Sequence, residues 1–130
     1  MTAPPARLTP SPPRPAPPAG IPSWDTRLKG LQADFSAAFL AASPDFQTKY
    51  GYGVSRPGNA NLTLCSKQVG ERFGCLAVTL ELPFKDNANL PDPRRGWSAE
   101  RSQRLGAAAL EAVLAVAPRL RGWDPEEESR

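Results

Sequence analysis

A ten-residue apolar segment, Cys75–Phe84, constrains the fold of this chain more than any other part of its sequence. Read with the two-residue period of a β-strand, one face carries large aliphatic side chains: Leu76, Val78, Leu80 and Leu82. The opposite face carries small side chains and one carboxylate: Cys75, Ala77, Thr79 and Glu81. Pro83 cannot donate a backbone hydrogen bond, so we expect strand pairing to stop there. The pattern predicts a strand that packs on helices through one face and leaves space over the other.

Glu81 stands at the carboxyl end of this predicted strand. Open α/β sheets tend to bind their ligands at the carboxyl ends of their strands. The position therefore fits a catalytic carboxylate. It equally fits a structural glutamate that pairs with a neighbouring Lys or Arg, and from the pattern alone the structural interpretation is the commoner one.

Two amphipathic helices are predicted from apolar residues that recur at helical spacing. Ser23 is the expected N-cap of the first helix, which should run from about Trp24 to Ala42. Its apolar stripe consists of Leu28, Leu31, Phe35, Ala38, Phe39 and Ala42. Ser98 is the expected N-cap of the last helix, with Glu100 in its first turn, and Pro118 should end or kink it. The buried stripe of that helix is Leu105, Ala109, Ala112, Val113, Val116 and Leu120, widened by Leu110 and Leu114.

The segments between these helices predict a short strand–helix–strand unit. Asn61–Cys65 alternates like a strand, Lys67–Phe73 should form a brief helix capped by Ser66, and Gly74 leads into the Cys75–Phe84 strand. Pro44–Ala60 and Lys85–Trp97 contain Pro, Gly and Asn and are predicted loops. The predicted order is helix–strand–short helix–strand–helix, an α/β fold with a parallel strand pair. Because two short strands do not make an independent sheet, we expect part of a larger domain.

The chain divides into three regions by composition. Residues 1–22 hold most of the 16 prolines and are predicted to be disordered. Residues 23–122 are the predicted folded region, and residues 123–130 form an acidic polar tail. Arg7–Pro13 matches an Arg-x-x-Pro-x-x-Pro pattern that some aromatic grooves bind. A non-catalytic interaction module with a Pro-rich, partner-binding arm is therefore an alternative function.

The composition excludes several classes of function. The 130 residues include no histidine, which removes Ser/His and Cys/His catalysis and the commonest zinc ligand. The net charge of +3 is scattered, so we expect no nucleic-acid partner. No apolar run is long enough to span a membrane, and no secretory signal is present, so we expect a cytoplasmic protein. Cys65 and Cys75 are predicted to be buried thiols that bind no metal.

Several blocks in order give the sequence a specific resemblance between about Ile21 and Leu120. Thr79-Leu-Glu-Leu-Pro-Phe-Lys-Asp86 resembles the end of a zinc metallocarboxypeptidase catalytic domain, in the branch of bacterial cytosolic carboxypeptidases related to deglutamylases. The other blocks that carry this resemblance are Ser43–Gln47, Gly58–Thr63, Gln68–Phe73, Leu90–Pro93 and Gly96–Arg101.

The resemblance implies a C-terminal part of a zinc carboxypeptidase domain with an α/β/α mixed sheet. It implies a peptide or protein C-terminus as the substrate, with glutamate as a possible residue to be removed. It implies that Glu81 is the general base and acid of peptide hydrolysis. The family's zinc ligands are a His-x-x-Glu pair and a later histidine, and this sequence has no histidine. The arginines that bind the substrate carboxylate also match nothing here. We therefore expect no zinc to bind this chain alone, no activity from it alone, and a missing upstream part as its partner.

Overall fold

The computed structural model describes residues 21–50, 56 and 58–120, and the backbone of residues 14–16. Its elements are, in order, β1 (Arg14–Ala16), α1 (Thr26–Ala42), α2 (Cys65–Phe73), β2 (Thr79–Glu81) and α3 (Ala99–Val116). A single 3-10 turn, Ala117–Arg119, follows α3. In this described part of the chain, no helix is both long enough and apolar enough to cross a bilayer. The Arg7–Pro13 motif and the predicted tail at 123–130 lie outside the described residues.

Helix α1 begins at a side-chain cap and ends at Ser43, whose backbone amide donates to the Phe39 carbonyl. Asp25, and not Ser23, is its N-cap, and the Asp25 carboxylate accepts a hydrogen bond of 2.8 Å from the Leu28 amide. Ser43 follows the helix in an extended conformation, as a residue before proline prefers. The predicted helix is confirmed, with its start two residues later than expected.

Helix α3 confirms the predicted cap and corrects the width of its apolar face. The Ser98 hydroxyl accepts a hydrogen bond from the Arg101 amide, and Glu100 lies in the first turn. Leu110 and Leu114 do not widen the buried stripe, because their side chains are 71% and 74% exposed. Val113 is also exposed. Pro118 lies in the 3-10 turn where the α-helix ends, as predicted.

Helices α1 and α3 pack against each other and form the core. The fully buried members of this core are Leu28, Leu31, Phe35, Phe39, Phe46, Leu105, Ala108, Ala112 and Val116. The Phe39 and Phe46 rings stack with centroids 4.0 Å apart, which fixes the chain just beyond α1. From the predicted aliphatic face, Leu76, Val78 and Leu80 pack against this core, whereas Leu82 is exposed.

The strands differ from the prediction in length, partner and direction. Strand β2 covers three residues of the ten in Cys75–Phe84, and it pairs antiparallel with β1. In this register Arg14 lies opposite Glu81, and Ala16 lies opposite Thr79. Arg14–Ala16 belongs to the segment predicted to be disordered, and these three residues form a strand in the structure. The ladder is short because β1 contains Pro15 and lies between further prolines, which donate no ladder hydrogen bonds.

The predicted strand at Asn61–Cys65 is wrong, and so is the parallel pair built on it. The Asn61 carboxamide oxygen accepts hydrogen bonds from the Thr63 amide (3.0 Å) and the Thr63 hydroxyl (2.6 Å), which closes a local turn. Leu64 is the N-cap of α2, and Cys65 is its first residue. Cys65 is therefore exposed and Cys75 is half-buried, so the prediction of two buried thiols is also wrong.

Candidate active site at the end of the second strand

Glu81, the predicted catalytic residue, is the last residue of β2 and is half-buried. Thr79 lies on the same face of the strand, and its hydroxyl donates to the Ser66 hydroxyl of α2 at 3.1 Å. The chain leaves the strand through buried Pro83. The structure thus places the carboxylate where the sequence put it, at the carboxyl end of a strand. Its catalytic role stays a prediction.

The space that we expected over the small-residue face is filled in its first half by α2. Gly70 is buried, and a Cβ added there would lie 3.2 Å from Cδ1 of Ile21 and 3.7 Å from Cβ of Ala77. Small residues on this strand therefore admit a helix rather than a ligand. Beyond Ala77 the face opens, since Thr79 is exposed and Glu81 is half-exposed.

The loop after β2 is closed by its own ends. The Trp97 amide donates to the Lys85 carbonyl at 2.7 Å, and Gly96 adopts a φ of 63°, a conformation that favours glycine. A Cβ at Gly96 would collide with the Lys85 carbonyl oxygen. Inside the loop, the Asp92 carboxylate accepts hydrogen bonds from the amides of Arg94 and Arg95. The loop that follows Glu81 is therefore a compact ring.

A buried cation from α3, Arg101, lies at the centre of this ring. Its guanidinium forms an ion pair with Asp45, which follows α1, and a second one with Asp86 at 3.0 Å. It also donates to the carbonyls of Leu90 (2.8 Å) and Gly96 (3.3 Å). Arg101 thus binds the end of α1 and three points of the loop at once.

Asn87 and the two aspartates complete the network. Asn87 is fully buried, and its side-chain amide donates to the Asp45 carbonyl and to the Asp45 carboxylate, both at 3.1 Å. The Asp86 carboxylate accepts hydrogen bonds from the Asn87 amide (2.7 Å) and the Asp92 amide (2.8 Å). Buried charges are stable when such bonds satisfy them, as they do here.

The charges in this network reinforce one another. Burial opposes ionisation of Asp45, but hydrogen bonds from Arg101 and Asn87 and the charges of Arg101 and Arg104 outweigh it and lower the pKa of this carboxyl. The hydrogen bond from Arg101 to Asp45 likewise raises the pKa of the guanidinium. The pair is therefore ionised under all ordinary conditions.

Sequence reasoning assigned Asp45, Asp86 and Asn87 to loops and gave Arg101 no role. One signal could have identified the network. Arg101 lies four residues before buried Leu105, on the same side of α3 as the apolar stripe. A cation on the buried face of a helix predicts a buried anionic partner, although helical spacing alone does not say which carboxylate it is.

A recess of about 510 Å³ opens between the end of α1 and this loop. Pro44, Pro91 and Pro93 contribute to its walls, together with Arg94 and Arg104. Asp45 and Arg101 also line it, but they bind each other. Its buried charged groups are therefore already occupied.

The residues at hand do not fit a zinc ion. The sequence has no histidine, and within residues 21–50, 56 and 58–120 no three side chains of the Cys, Asp or Glu type come together as ligands would. Neither Cys65 nor Cys75 belongs to such a group.

Comparison with known proteins identifies what the chain resembles. No protein-family model matches it. It is 43% identical over 96 residues to an uncharacterised protein of Zymomonas mobilis. The matched residues make up 74% of this chain and 25% of that protein. A metallo-carboxypeptidase from Pseudomonas aeruginosa, in complex with (2-guanidinoethylmercapto)succinic acid, matches with a TM-score of 0.80 and 39% identity, over 84% of this chain and 29% of the other. A metallo-carboxypeptidase from Burkholderia cenocepacia matches with a TM-score of 0.73 and 51% identity, over 78% of this chain and 27% of the other.

These matches confirm the predicted resemblance to metallo-carboxypeptidases in sequence and in fold. The chain spans about a quarter to three tenths of the length of these relatives. The deglutamylase-like branch remains a prediction.

Proposed function

We propose that this chain, which resembles the metallo-carboxypeptidases over most of its length, contributes the general base Glu81 to hydrolysis of the last peptide bond of a peptide or protein. The observation that carries the proposal is the position of Glu81. It ends a strand, it is half-buried beside exposed Thr79 on the same face, and the loop that follows is anchored to the helical core. The likeness to two metallo-carboxypeptidases supports peptides as the substrate class.

The chemistry assigned to Glu81 is proton transfer. A carboxylate in this place can accept a proton from the water that attacks the scissile carbonyl. It can then deliver that proton to the departing amine.

The described residues do not form a site for the metal that the family name implies. We propose that the zinc ligands lie in the remaining three quarters of the domain, of which this chain is the C-terminal part. The groups that bind the substrate carboxylate belong there too. After dialysis the purified chain should retain less than about 0.1 zinc per molecule, because its donors do not form a three-ligand site. One tightly held zinc per chain would contradict this.

A C-terminal glutamate is the specific residue that we propose is removed. The compound bound to the Pseudomonas aeruginosa enzyme is a succinic acid with two carboxylates, and it also carries a cationic guanidinoethyl group, so it supports recognition of a carboxylate without fixing the side chain. A C-terminal glutamate also presents two carboxylates. Hydrolysis rates on matched peptides that end in Glu or Gln would decide this point, and equal rates would exclude the preference.

The test of Glu81 uses a joined enzyme, in which residues 21–120 replace the matching part of the Pseudomonas aeruginosa protein. Glu81→Gln keeps the size of the side chain but removes the proton acceptor. Turnover per folded, metal-loaded molecule should fall by about a hundredfold to ten-thousandfold, the range for a lost acid/base group. Metal content and KM should change little.

Glu71→Gln is the matched control for a structural glutamate. The Glu71 carboxylate accepts a hydrogen bond of 2.7 Å from the Ser23 amide, which joins α2 to the start of α1. Its substitution should lower stability while the folded enzyme keeps its turnover. If Glu81→Gln behaves like this control, Glu81 is structural and the proposal is wrong.

A further inference from the structure

We infer that Arg101 is a positioning residue for Glu81, an inference that rests on the function proposed for that carboxylate. Arg101 belongs to α3, is 6% exposed, and touches no residue of β2 through the bonds described above. Its effect on Glu81 would pass through the loop that joins the two elements.

The guanidinium binds this loop at its start, its middle and its end. One terminal nitrogen donates to the Asp86 carboxylate and to the Gly96 carbonyl, at 3.0 and 3.3 Å. The other donates to the Leu90 carbonyl at 2.8 Å. A single planar group thus fixes three points whose separation along the chain is up to ten residues, which a point charge such as an ammonium cannot do.

Only four residues separate Glu81 from the first of these fixed points, Asp86. Pro83, within this linker, is buried and has a restricted φ. The Lys85 carbonyl, at the end of the linker, accepts the hydrogen bond from Trp97 that closes the loop. Because the linker is this short and the φ of Pro83 is fixed, the position of Asp86 limits where the backbone of Glu81 can lie.

The strand pairing alone is a weak support for Glu81. The ladder with β1 extends over three residue pairs, and Glu81 forms the last of them. Arg101 adds a connection to the rigid core, because it also binds Asp45 beside α1 and stands one helical turn before buried Leu105. The loop and the helical core are therefore joined through one side chain.

Two variants of the full chain separate positioning from general destabilisation. Arg101→Lys keeps the charge but loses the planar fork, and Asp86→Asn removes the first anchor of the loop at a half-exposed site. Arg104→Lys, on the exposed side of the same helix, is the matched control.

Amide hydrogen exchange in the full chain is the first measurement. In both variants the amides of Gly96 and Trp97, which donate to the Asp92 and Lys85 carbonyls and close the loop, should exchange about tenfold faster or more, as in a locally opened segment, while the core amides of Leu31 and Leu105 keep their rates. The control should resemble the wild type. Unchanged loop amides, or core amides that accelerate by the same factor, would overturn the inference.

Turnover of the joined enzyme is the second measurement. Arg101→Lys should lower kcat by about tenfold to a hundredfold at unchanged KM, the effect of a misplaced reacting group. In a Glu81→Gln background the same substitution should have no further effect, because no base remains to be positioned. If Glu81→Gln lowers turnover but Arg101→Lys does not, the positioning role is wrong. If Glu81→Gln leaves turnover intact, the proposed function fails, and the exchange result still reports on the loop.

Discussion

Replacement of Arg101 by methionine should destabilise the chain far more than any other single loss of charge on α3. Methionine fills much of the volume of the arginine stem but supplies no donors. It leaves the Asp45 carboxylate buried, with Asn87 as its remaining partner. The Arg101 and Asp45 side chains are only 7% and 8% exposed, so water cannot take the place of the missing cation.

The size of the effect follows from what is left unpaired. Removal of one partner of a buried ion pair costs about 3–5 kcal/mol, because the other charge remains uncompensated. Asp86 adds less, since its side chain is 20% exposed and keeps two amide donors. We expect a loss of about 4 kcal/mol, a large part of the 5–15 kcal/mol that stabilises an ordinary domain.

Urea unfolding, followed by circular dichroism, measures this loss. A fixed concentration of trimethylamine N-oxide, added to all samples, keeps the variant folded enough to give a baseline. Arg104→Met is the control, and its exposed site on α3 predicts a change of less than about 1 kcal/mol. The double variant Asp45→Asn/Arg101→Met should lose less unfolding free energy than the two single variants lose in total. The reason is that Asp45→Asn removes the charge that Arg101→Met leaves unpaired.

Two results would refute this reasoning. If Arg101→Met cost less than about 1 kcal/mol, the network would not carry the buried charge that its geometry implies. If the double variant showed simple additivity, Asp45 and Arg101 would not act as a pair.

Three further predictions concern the loop, the helix faces and acid. Gly96→Ala should cost about 2–4 kcal/mol in urea unfolding, because the position has a positive φ and the added Cβ would collide with a carbonyl oxygen. Gly74→Ala has a φ of 57° but open space around it and should cost only about 1 kcal/mol. Similar losses in the two variants would contradict the collision. Leu105→Ala should cost about 2–5 kcal/mol and Leu114→Ala less than about 0.5 kcal/mol, and equal losses would mean that both faces of α3 are covered. Folding lowers the pKa of Asp45, so the stability that this carboxylate contributes is complete above the ordinary Asp pKa of about 3.9 and is lost as the pH falls further. The Asp45→Asn variant should therefore lose stability less steeply with pH in that acid range. An unchanged slope would refute the assignment.

The helices were predictable because their signals are local. Leu28, Leu31 and Phe35 recur at the spacing of one helix face, and Ser98 is a preferred cap at the start of α3. Burial then follows from periodicity, as the core of α1 and α3 confirms. The exposed state of Leu110 and Leu114 was not predictable in this way, because periodicity identifies an apolar face but not whether a neighbour covers all of it.

The strands and the network were not predictable because they depend on contacts far apart in the chain. Asn61–Cys65 alternates like a strand, yet one carboxamide oxygen, on Asn61, closes a turn instead. Strand β2 is as long as its partner β1 allows, and β1 lies more than sixty residues earlier. Asp45 and Arg101 are separated by 56 positions, and no local pattern links them.

The closed loop after Glu81 has a consequence for protein engineering. Its two ends meet at one hydrogen bond, between Trp97 and Lys85, so another loop could be grafted there without a change in the distance to be bridged. Its interior is not self-contained, however, because Asp86 and the Leu90 carbonyl bind a side chain of α3. A graft between relatives would therefore have to carry the loop, Arg101 and Asp45 as one unit. Transfer of the loop alone, without Arg101 and Asp45, would remove the hydrogen bonds and ion pairs that hold it in place.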